Sequence, residues 1–471
     1  MNLRRLSSPV ILTGLMTAAL LLVQAALMAA GLEEISGAGE ALALSALYAL
    51  VYGGAMLAYV RLRRPGTGEL LFAGVFAAVS MLARTAMLDF RSADYVSFLS
   101  LWTDMFREGG FSLLAENVGD YNLLYQYILL IITKAPLHEL YMIKWVSVIF
   151  DYVLAVAMML AAGHYAGEKA KTPAFLLVCV MPTVLLDGAC WGQCDAVYVS
   201  LIILSLYFLE TERPMRSAVL LAFSFAFKLQ TIFFFPVVLL GLIHRRYKLR
   251  HALAFFAAYL LTMVPALLAG RSLADALSVY AAQSMGQYYD RLTYNAPNLY
   301  LFFPMLEFSV SREFTWMRYI PGIDGKATNA YLTADLMPTL QHAVLYACVV
   351  LTLIVVVYWL IHYREITPDM TLELALLFAV YLPFVMPKIH ERYFFLADML
   401  SVLYAVRRKD RRFMPLLVVG ASLMCCVPYL TRQHPIDKRW LALMMLAALV
   451  TISRDLLERM RENRAALKGG A

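Results

Sequence analysis

Long apolar runs recur along almost the whole of this chain, and only short polar segments separate them. A helix needs about 20 apolar residues to cross a bilayer, and somewhat fewer where a site thins or bends it. Because 62% of the 471 residues are hydrophobic and 15% are charged, the apolar surface exceeds what one soluble core could bury. The sequence therefore predicts an all-α, polytopic integral membrane protein with about 13–14 transmembrane segments. The runs that qualify, or nearly qualify, are 9–31, 41–61, 69–88, 140–163, 173–189, 197–210, 215–229, 231–244, 251–269, 338–362, 371–386, 394–406, 413–430 and 438–452.

Two apolar segments need a separate interpretation. The N-terminal segment has the basic start and small-residue end of a signal peptide, but its apolar run is longer than the ~7–15 residues of a signal core. We interpret it as a retained first transmembrane helix. Residues 121–134 form a shorter run, which we expect to re-enter the membrane or lie at its surface.

The basic residues indicate the orientation, because cytoplasmic loops carry an excess of Lys and Arg. All the main basic clusters can lie on one side, which we predict to be cytoplasmic together with both termini. They are Arg4 and Arg5, residues 61–64, Lys169 and Lys171, Arg213 and Arg216, residues 244–250, residues 407–412 and the C-terminal tail. The polar segments that could carry function then fall on the extracytoplasmic face of what we expect to be the plasma membrane.

The stretch 89–121 is unusually acidic for this chain. Within it, Asp94, Phe98, Leu101 and Trp102 are predicted to share one face of a helix that lies along the membrane surface. A carboxylate there is either a solvated loop residue or a general base that takes a proton from an acceptor hydroxyl. The acids of the stretch are Asp89, Asp94, Asp104, Glu108, Glu116 and Asp120.

The run WGQCD at 191–195 lies between two apolar segments. Asp195 begins the second segment, where a carboxylate suits the positive end of a helix. Trp191 and Gln193 add a flat aromatic face and an amide, a combination that grips a sugar or a polar head group. From the sequence, helix capping and ligand binding both remain open.

Lys228 and Gln230 interrupt the apolar stretch FSFAFKLQTIFFFP. A lysine at membrane depth costs ~2.5 kcal/mol or more unless it is paired or faces a wet cavity. The amine of Lys228 therefore either extends to an interface or reaches the same polar cavity as the acids.

The run MPKIHERYFF at 386–395 places Lys388, His390 and Arg392 between two apolar runs on the predicted outer face. Cations on the outer face are unusual, because basic residues normally favour the cytoplasmic side. A local partner must therefore explain their presence there. One reason is an anionic lipid head group, above all a phosphate. The alternative is a structural network in which Glu391 neutralises Arg392.

The segment 270–337 is the longest polar stretch, and it is rich in aromatic residues. We expect it to cover the cavity as an outer cap. Within it, YNAPNLYLFFP contains Asn295 and Asn298, which either contact a ligand or form a turn.

No metal or cofactor is expected. Cys190 and Cys194 are four positions apart, and no His lies at a spacing that would complete a zinc site. The chain contains no glycine-rich phosphate loop, no HExxH, no GxSxG and no Walker lysine. A nucleotide-binding cytosolic enzyme is therefore unsupported, and nothing indicates a nucleic-acid partner.

Taken in order, the acidic first outer loop, WGQCD, FKLQTIFFFP, NAPNLY and HERYFF resemble the class C polytopic glycosyltransferases. Among them, the sequence is most similar to bacterial relatives of the second mannosyltransferase of GPI-anchor synthesis. The resemblance covers about residues 69–430, and WGQxD, KxQ and HERYFF are fairly specific as a set. It predicts an N-terminal transmembrane helix pair at 1–68, a transferase-like membrane domain at 69–452 with a catalytic outer loop at 89–139 and the cap at 270–337, and a cytoplasmic tail at 453–471.

Such enzymes move a sugar from a polyprenyl phosphate to a lipid, glycan or protein hydroxyl on the outer side, usually with inversion and without a catalytic metal. The resemblance implies that Asp94 is the general base, with Asp89 as its rival. It also implies that His390 and Arg392, together with Lys388, contact the donor phosphate. The substrate-binding residues expected on the same grounds are Asp120, Trp191, Gln193, Asp195, Lys228, Gln230, Asn295 and Asn298. Asp120 stands where relatives often carry an acidic residue followed by Tyr-Pro-Pro, and those prolines are absent here.

The donor chemistry agrees with this assignment, because polyprenyl phosphate is already an activated leaving group. One carboxylate and a few cations are enough to catalyse the transfer, and mannose is the sugar that the resemblance favours.

Two alternative functions remain. A flippase or transporter would have polar residues distributed through the depth of the bilayer and inverted repeats with broken helices. A polymerase of lipid-linked glycans would act in the same compartment as the proposed transferase and use the same lipid carrier.

Overall fold

The computed structural model of the chain describes residues 3–285, 292–302, 336–433 and 435–469. Within these residues the chain is almost entirely helical, and its strands are two residues long. Most of the predicted cap, residues 286–291 and 303–335, lies outside the described residues. The predicted fold class is confirmed, because eight of the described helices are long and apolar enough to cross a membrane. The number is nine if the pair Glu168–Val180 and Pro182–Trp191, bent by 45°, is one span.

The described helices are labelled here in chain order. They are α1 (Leu3–Gly31), α2 (Ala38–Arg63), α3 (Thr67–Thr85), α4 (Ser100–Gly109), α5 (Leu123–Ile132), α6 (Glu139–Ala166), α7 (Lys171–Val180), α8 (Pro182–Leu185), α9 (Asp195–Glu210), α10 (Pro214–Phe227), α11 (Phe235–Ile243), α12 (Leu249–Leu261), α13 (Val264–Leu268), α14 (Leu273–Met285), α15 (Leu336–Ile361), α16 (Thr371–Val385), α17 (Phe395–Arg407), α18 (Met414–Thr431) and α19 (Lys438–Gly469).

Helix length explains why more apolar runs are predicted than long helices are found. Several of the runs form helices shorter than the length needed to cross a bilayer, among them α9, α10 and α12. Helix α10 ends because Lys228 adopts an extended backbone with φ of −149°, and a 3₁₀ turn follows. The apolar sequence continues past this break, whereas the helix does not.

The described residues up to Thr231, together with Leu249–Ala282, form a first compact unit. Helix α6 lies at its centre and packs against α2, α7 and α9. Buried alanines on α6, such as Ala155 and Ala161, allow close approach of neighbouring helices. The predicted N-terminal pair, α1 and α2, packs within this unit against α3 and α6.

The second compact unit contains Ile232–Lys248 and the described residues from 292 onward. All fifteen residues of α16 are buried, and α16 packs against α11, α17 and α19. Near the end of α16, strand β1 (Thr293–Tyr294) pairs in parallel with β2 (Ile389–His390). Near its start, the buried Glu373 accepts hydrogen bonds from Arg407 and Arg459 at 3.1 and 2.9 Å.

Candidate active site

Asp94 is the centre of the polar site in the first unit. It directly precedes a π-helical turn, Tyr95–Leu99, and π-helical turns are frequent at functional sites. Its Oδ2 atom accepts hydrogen bonds from Trp191 Nε1 at 3.0 Å and from Gln193 Nε2 at 2.6 Å. The structure therefore joins two of the predicted segments, the acidic outer stretch and WGQCD, through one carboxylate oxygen.

The backbone of WGQCD is held from several sides. A second π-helical turn, Leu186–Trp191, ends at Gly192, whose φ of +78° is accessible to glycine at little cost. Ser92 Oγ donates to the Trp191 carbonyl at 2.8 Å, and Ser147 Oγ donates to the Gln193 carbonyl at 2.6 Å. The two side chains that contact Asp94 are thus presented by a fixed backbone.

Tyr121 completes this polar site and was not selected from the sequence. Its hydroxyl donates to Gln193 Oε1 at 2.8 Å, and Trp102 packs edge-on against its ring with the centroids 5.9 Å apart. The sequence pointed instead to the neighbouring Asp120, whose side chain is exposed, although desolvation raises its pKa above the ordinary value. Nothing in the sequence around Tyr121 indicates its hydrogen bond to Gln193, which lies 72 positions away.

The predicted helical face is only partly correct. Asp94 and Trp102 both reach this site, and Phe98 packs against Trp102 with the ring centroids 5.8 Å apart. Leu101, however, is 55% exposed. The π-helical turn inserts one extra residue per turn, so the regular helical spacing used for the prediction does not apply across it.

Lys228 forms a buried ion pair with Asp195. The Nζ–Oδ1 distance is 2.6 Å, and the two side chains are 6% and 0% exposed. The amine also lies 5.8 Å from the centroid of the Tyr121 ring and 5.7 Å from that of Tyr198. Lys228 therefore does not extend to an interface, because it pairs with Asp195, the first residue of α9.

Gln230 lies two residues further, in the 3₁₀ turn Leu229–Phe234. Its side chain is 5% exposed, and its Oε1 atom has no hydrogen-bond donor among the described residues.

Asp89 belongs to a different set of contacts from Asp94. Its Oδ1 atom accepts hydrogen bonds from the Tyr141 hydroxyl at 2.6 Å and from the Glu33 backbone amide at 3.2 Å. These bonds connect the end of α3 to the α1–α2 loop and to the first turn of α6. The geometry thus distinguishes the two rival carboxylates, because only Asp94 is bonded to WGQCD within the described chain.

Lys144 is a second site residue that was not predicted from the sequence. Its buried amine donates to the carbonyls of Met87, Leu88 and Phe90 at 2.9, 2.8 and 2.7 Å. It anchors the segment that leads from α3 to Asp94 onto α6. A cation inside an apolar run could have revealed it, since the same signal selected Lys228.

The second unit contains a cationic cluster. The pairing of β1 with β2 places Tyr294 beside His390, and the two rings stack with their centroids 4.6 Å apart. The Lys388 amide donates to the Leu292 carbonyl at 2.8 Å, and Asn295 forms an isolated bridge with His390. The NAPNLY and HERYFF segments, almost 100 positions apart, therefore lie together.

The charged side chains of this cluster lie partly within the protein. Lys388, His390 and Arg392 are half-buried, and burial lowers the pKa of Lys388. Arg392 lies 3.9 Å from the buried Glu391. Lys438 was not predicted, and it donates to Asn295 Oδ1 from the first turn of α19.

The side chain of Asn298 makes a local contact that is typical of a turn. It is fully buried, and its Oδ1 atom accepts a hydrogen bond from the Tyr300 amide at 3.3 Å.

The described residues contain no group of three or more His, Cys, Asp or Glu side chains that could hold a metal ion.

The long apolar helices and the polar clusters at their ends define a multi-pass helical membrane protein with a carboxylate-centred site. Residues 121–387, more than half of the chain, match glycosyltransferase family 87. The chain belongs to this family and is a membrane glycosyltransferase. No curated protein matches it.

The family match contains part of the candidate site. It includes WGQCD, Lys228, Gln230, Asn295 and Asn298, whereas Asp94 and residues 388–392 lie outside it. The predicted class of membrane glycosyltransferase is confirmed. The more specific relation to the second mannosyltransferase of GPI-anchor synthesis stays a prediction.

Proposed function

We propose that this glycosyltransferase moves a hexose from a polyprenyl phosphate to an acceptor hydroxyl, with inversion and with Asp94 as the general base. Mannose is the first sugar to test. The observation that carries the proposal is the pair of hydrogen bonds from Trp191 and Gln193 to Asp94 Oδ2. Two donors on one oxygen fix the direction of the carboxylate, and a general base must be oriented before it can accept a proton.

The proposed reaction needs few groups. The acceptor oxygen attacks the anomeric carbon while the bond from that carbon to the phosphate oxygen breaks. Asp94 takes the hydroxyl proton, and the phosphate leaves with the bonding electrons. In the second unit, Lys388, His390 and Arg392 are proposed to bind this phosphate and to stabilise the charge that develops on it.

The choice of Asp94 over Asp89 is supported by their different partners. The Tyr141 hydroxyl and the Glu33 amide hold one oxygen of Asp89 and connect three segments of the fold. We therefore propose a structural role for Asp89.

The proposed extracytoplasmic location is supported by the two ends of the helices in the first unit. At one end, Glu34 and Tyr141 join the starts of α2 and α6. At the other end, Lys171 donates to the Leu62 carbonyl, and Arg63 pairs with Glu69 at 3.1 Å. The basic run at 61–64 and the pair Lys169 and Lys171 thus lie at the end opposite Asp89, as the positive-inside rule requires if that end is cytoplasmic.

Transfer assays with the purified protein test the proposal. Polyprenyl phosphates that carry different radiolabelled hexoses are incubated with a membrane lipid extract, and the labelled product is measured. We expect transfer from one donor, a loss of about 10²-fold or more in Asp94→Asn, and near-normal turnover in a folded Asp89→Asn variant. Wild-type turnover in Asp94→Asn would remove the base assignment, and no transfer from any such carrier would overturn the donor class.

A further inference from the structure

Lys438 lies far in sequence from the predicted motifs, yet it is bonded to the cationic cluster. Its amine donates to Asn295 Oδ1. Asn295 has a φ of +62°, a left-handed conformation that Asn tolerates better than most residues, and its backbone forms a bridge with His390. One asparagine therefore contacts both His390 and Lys438.

A second observation places Lys438 on the same side of the second unit. Helix α19, which begins at Lys438, packs against α18. The Glu391–Phe394 turn also packs against α18. Lys438 thus lies beside the HERYFF segment as well as beside NAPNLY.

The neighbouring cation has a different environment. Arg439 is 61% exposed and donates hydrogen bonds to both carboxylate oxygens of Asp437. Lys438 is half-buried, and its partner Asn295 is a neutral amide, which orients the amine without neutralising it. Within the described residues Lys438 forms no ion pair, so its positive charge is available to an anion.

The hydrogen-bond donors of the cluster favour a phosphate. Lys388, His390, Arg392 and Lys438 bring four side chains with N–H groups into one part of the second unit. Partly buried cations are stable when an anion with several oxygens accepts their hydrogen bonds. A polyprenyl phosphate gains a second negative charge when the sugar leaves, and its oxygens then accept such hydrogen bonds more strongly.

We infer that Lys438, oriented by Asn295, is a further phosphate-binding residue and contacts the phosphate of the prenyl carrier. The inference rests on the proposed phosphate role of the cluster and extends it to the last helix. It assigns Lys438 to substrate binding, and Asn295 to positioning the amine.

The test measures binding without catalysis. Purified protein is dialysed against radiolabelled farnesyl phosphate, and farnesol is used as the uncharged counterpart. We expect Lys438→Met to weaken farnesyl phosphate binding by about tenfold and to leave farnesol binding unchanged. Lys438→Arg should restore most of the affinity, and Arg439→Met, the matched control, should bind normally.

The variant Asn295→Gly separates ligand binding from a structural role. Glycine tolerates the φ of +62° and removes the acceptor that orients Lys438 without adding a charge. The inference predicts weaker farnesyl phosphate binding in Asn295→Gly and no further loss when Asn295→Gly is added to Lys438→Met, whereas a purely structural lysine predicts unchanged affinity in the folded variants.

The outcomes distinguish the two levels of the proposal. If the wild type binds farnesyl phosphate no better than farnesol, the phosphate role of the whole cluster is wrong. If the wild type prefers farnesyl phosphate but Lys438→Met binds it equally well, or if Arg439→Met weakens it just as much, only the assignment of Lys438 is wrong.

Discussion

Tyr121 donates its hydroxyl proton to Gln193 Oε1 and thereby decides which end of the Gln193 amide faces Asp94. With Oε1 taken by Tyr121, the amide nitrogen donates to Asp94 Oδ2. A glutamine amide presents either its oxygen or its nitrogen when it rotates. Without the hydroxyl of Tyr121, Gln193 could turn its oxygen toward the carboxylate.

Tyr121→Phe should therefore lower kcat about tenfold and leave the KM for the donor nearly unchanged, because the base loses its orientation and the donor keeps its contacts. Kinetics of sugar transfer measure this. Tyr127→Phe is the control, since its hydroxyl donates to the Thr262 carbonyl at 2.9 Å instead. In a Gln193→Leu background, Tyr121→Phe should have no further effect, and additive losses would show that Tyr121 does not act through Gln193.

Breaking the Asp195–Lys228 pair should destabilise the protein strongly. Asp195→Asn leaves a buried ammonium without its carboxylate, which costs about 3–5 kcal/mol. The double variant Asp195→Asn/Lys228→Met removes both charges and should regain most of the lost stability. The unfolding midpoint in detergent measures this, and equal midpoints for the single and double variants would contradict it.

Gly119→Ala should disturb the loop that carries Tyr121. A Cβ atom at 119 would lie 2.4 Å from the Trp102 indole, and the φ of +70° disfavours any L side chain. Gly110→Ala is the matched control, because Gly110 has a φ of +57° with nothing within 4 Å of a new Cβ atom. We expect a lower unfolding midpoint and slower transfer for Gly119→Ala than for Gly110→Ala. Similar behaviour of the two variants would show that Trp102 moves aside at little cost.

Lys388→Met should stabilise the ligand-free protein and weaken phosphate binding. Burial lowers the pKa of Lys388 below its ordinary 10.5, so the folded state holds this proton less readily than the unfolded state. The charged amine therefore destabilises the fold below the lowered pKa, and this penalty fades as the pH rises toward 10.5.

Unfolding midpoints measured from neutral to alkaline pH test this sign. The stability advantage of Lys388→Met over the wild type should be largest near neutral pH and should disappear as the pH approaches 10.5. An advantage that grows with pH would contradict the argument. Farnesyl phosphate binding by the same variant gives the functional half of the prediction.

The sequence by itself determined the class of the protein and the segments that carry its polar residues. Apolar runs, basic loops and isolated charges are local features, so helices such as α6 and candidates such as Asp94, WGQCD and Lys228 could be read directly from the chain. The length of each helix was less predictable, because α10 ends at Lys228, whose amine pairs with Asp195, a residue of α9.

Only the tertiary structure decided which of these residues meet. Asp94 is bonded to residues 97 and 99 positions away, and Lys438 to a residue 143 positions away. Hydrogen bonds over such separations leave no local pattern, which is why Tyr121 and Lys438 were missed. The same reason explains the distinction between Asp89 and Asp94, which are equivalent as acids in a loop and differ only in the partners that the packed helices bring to them.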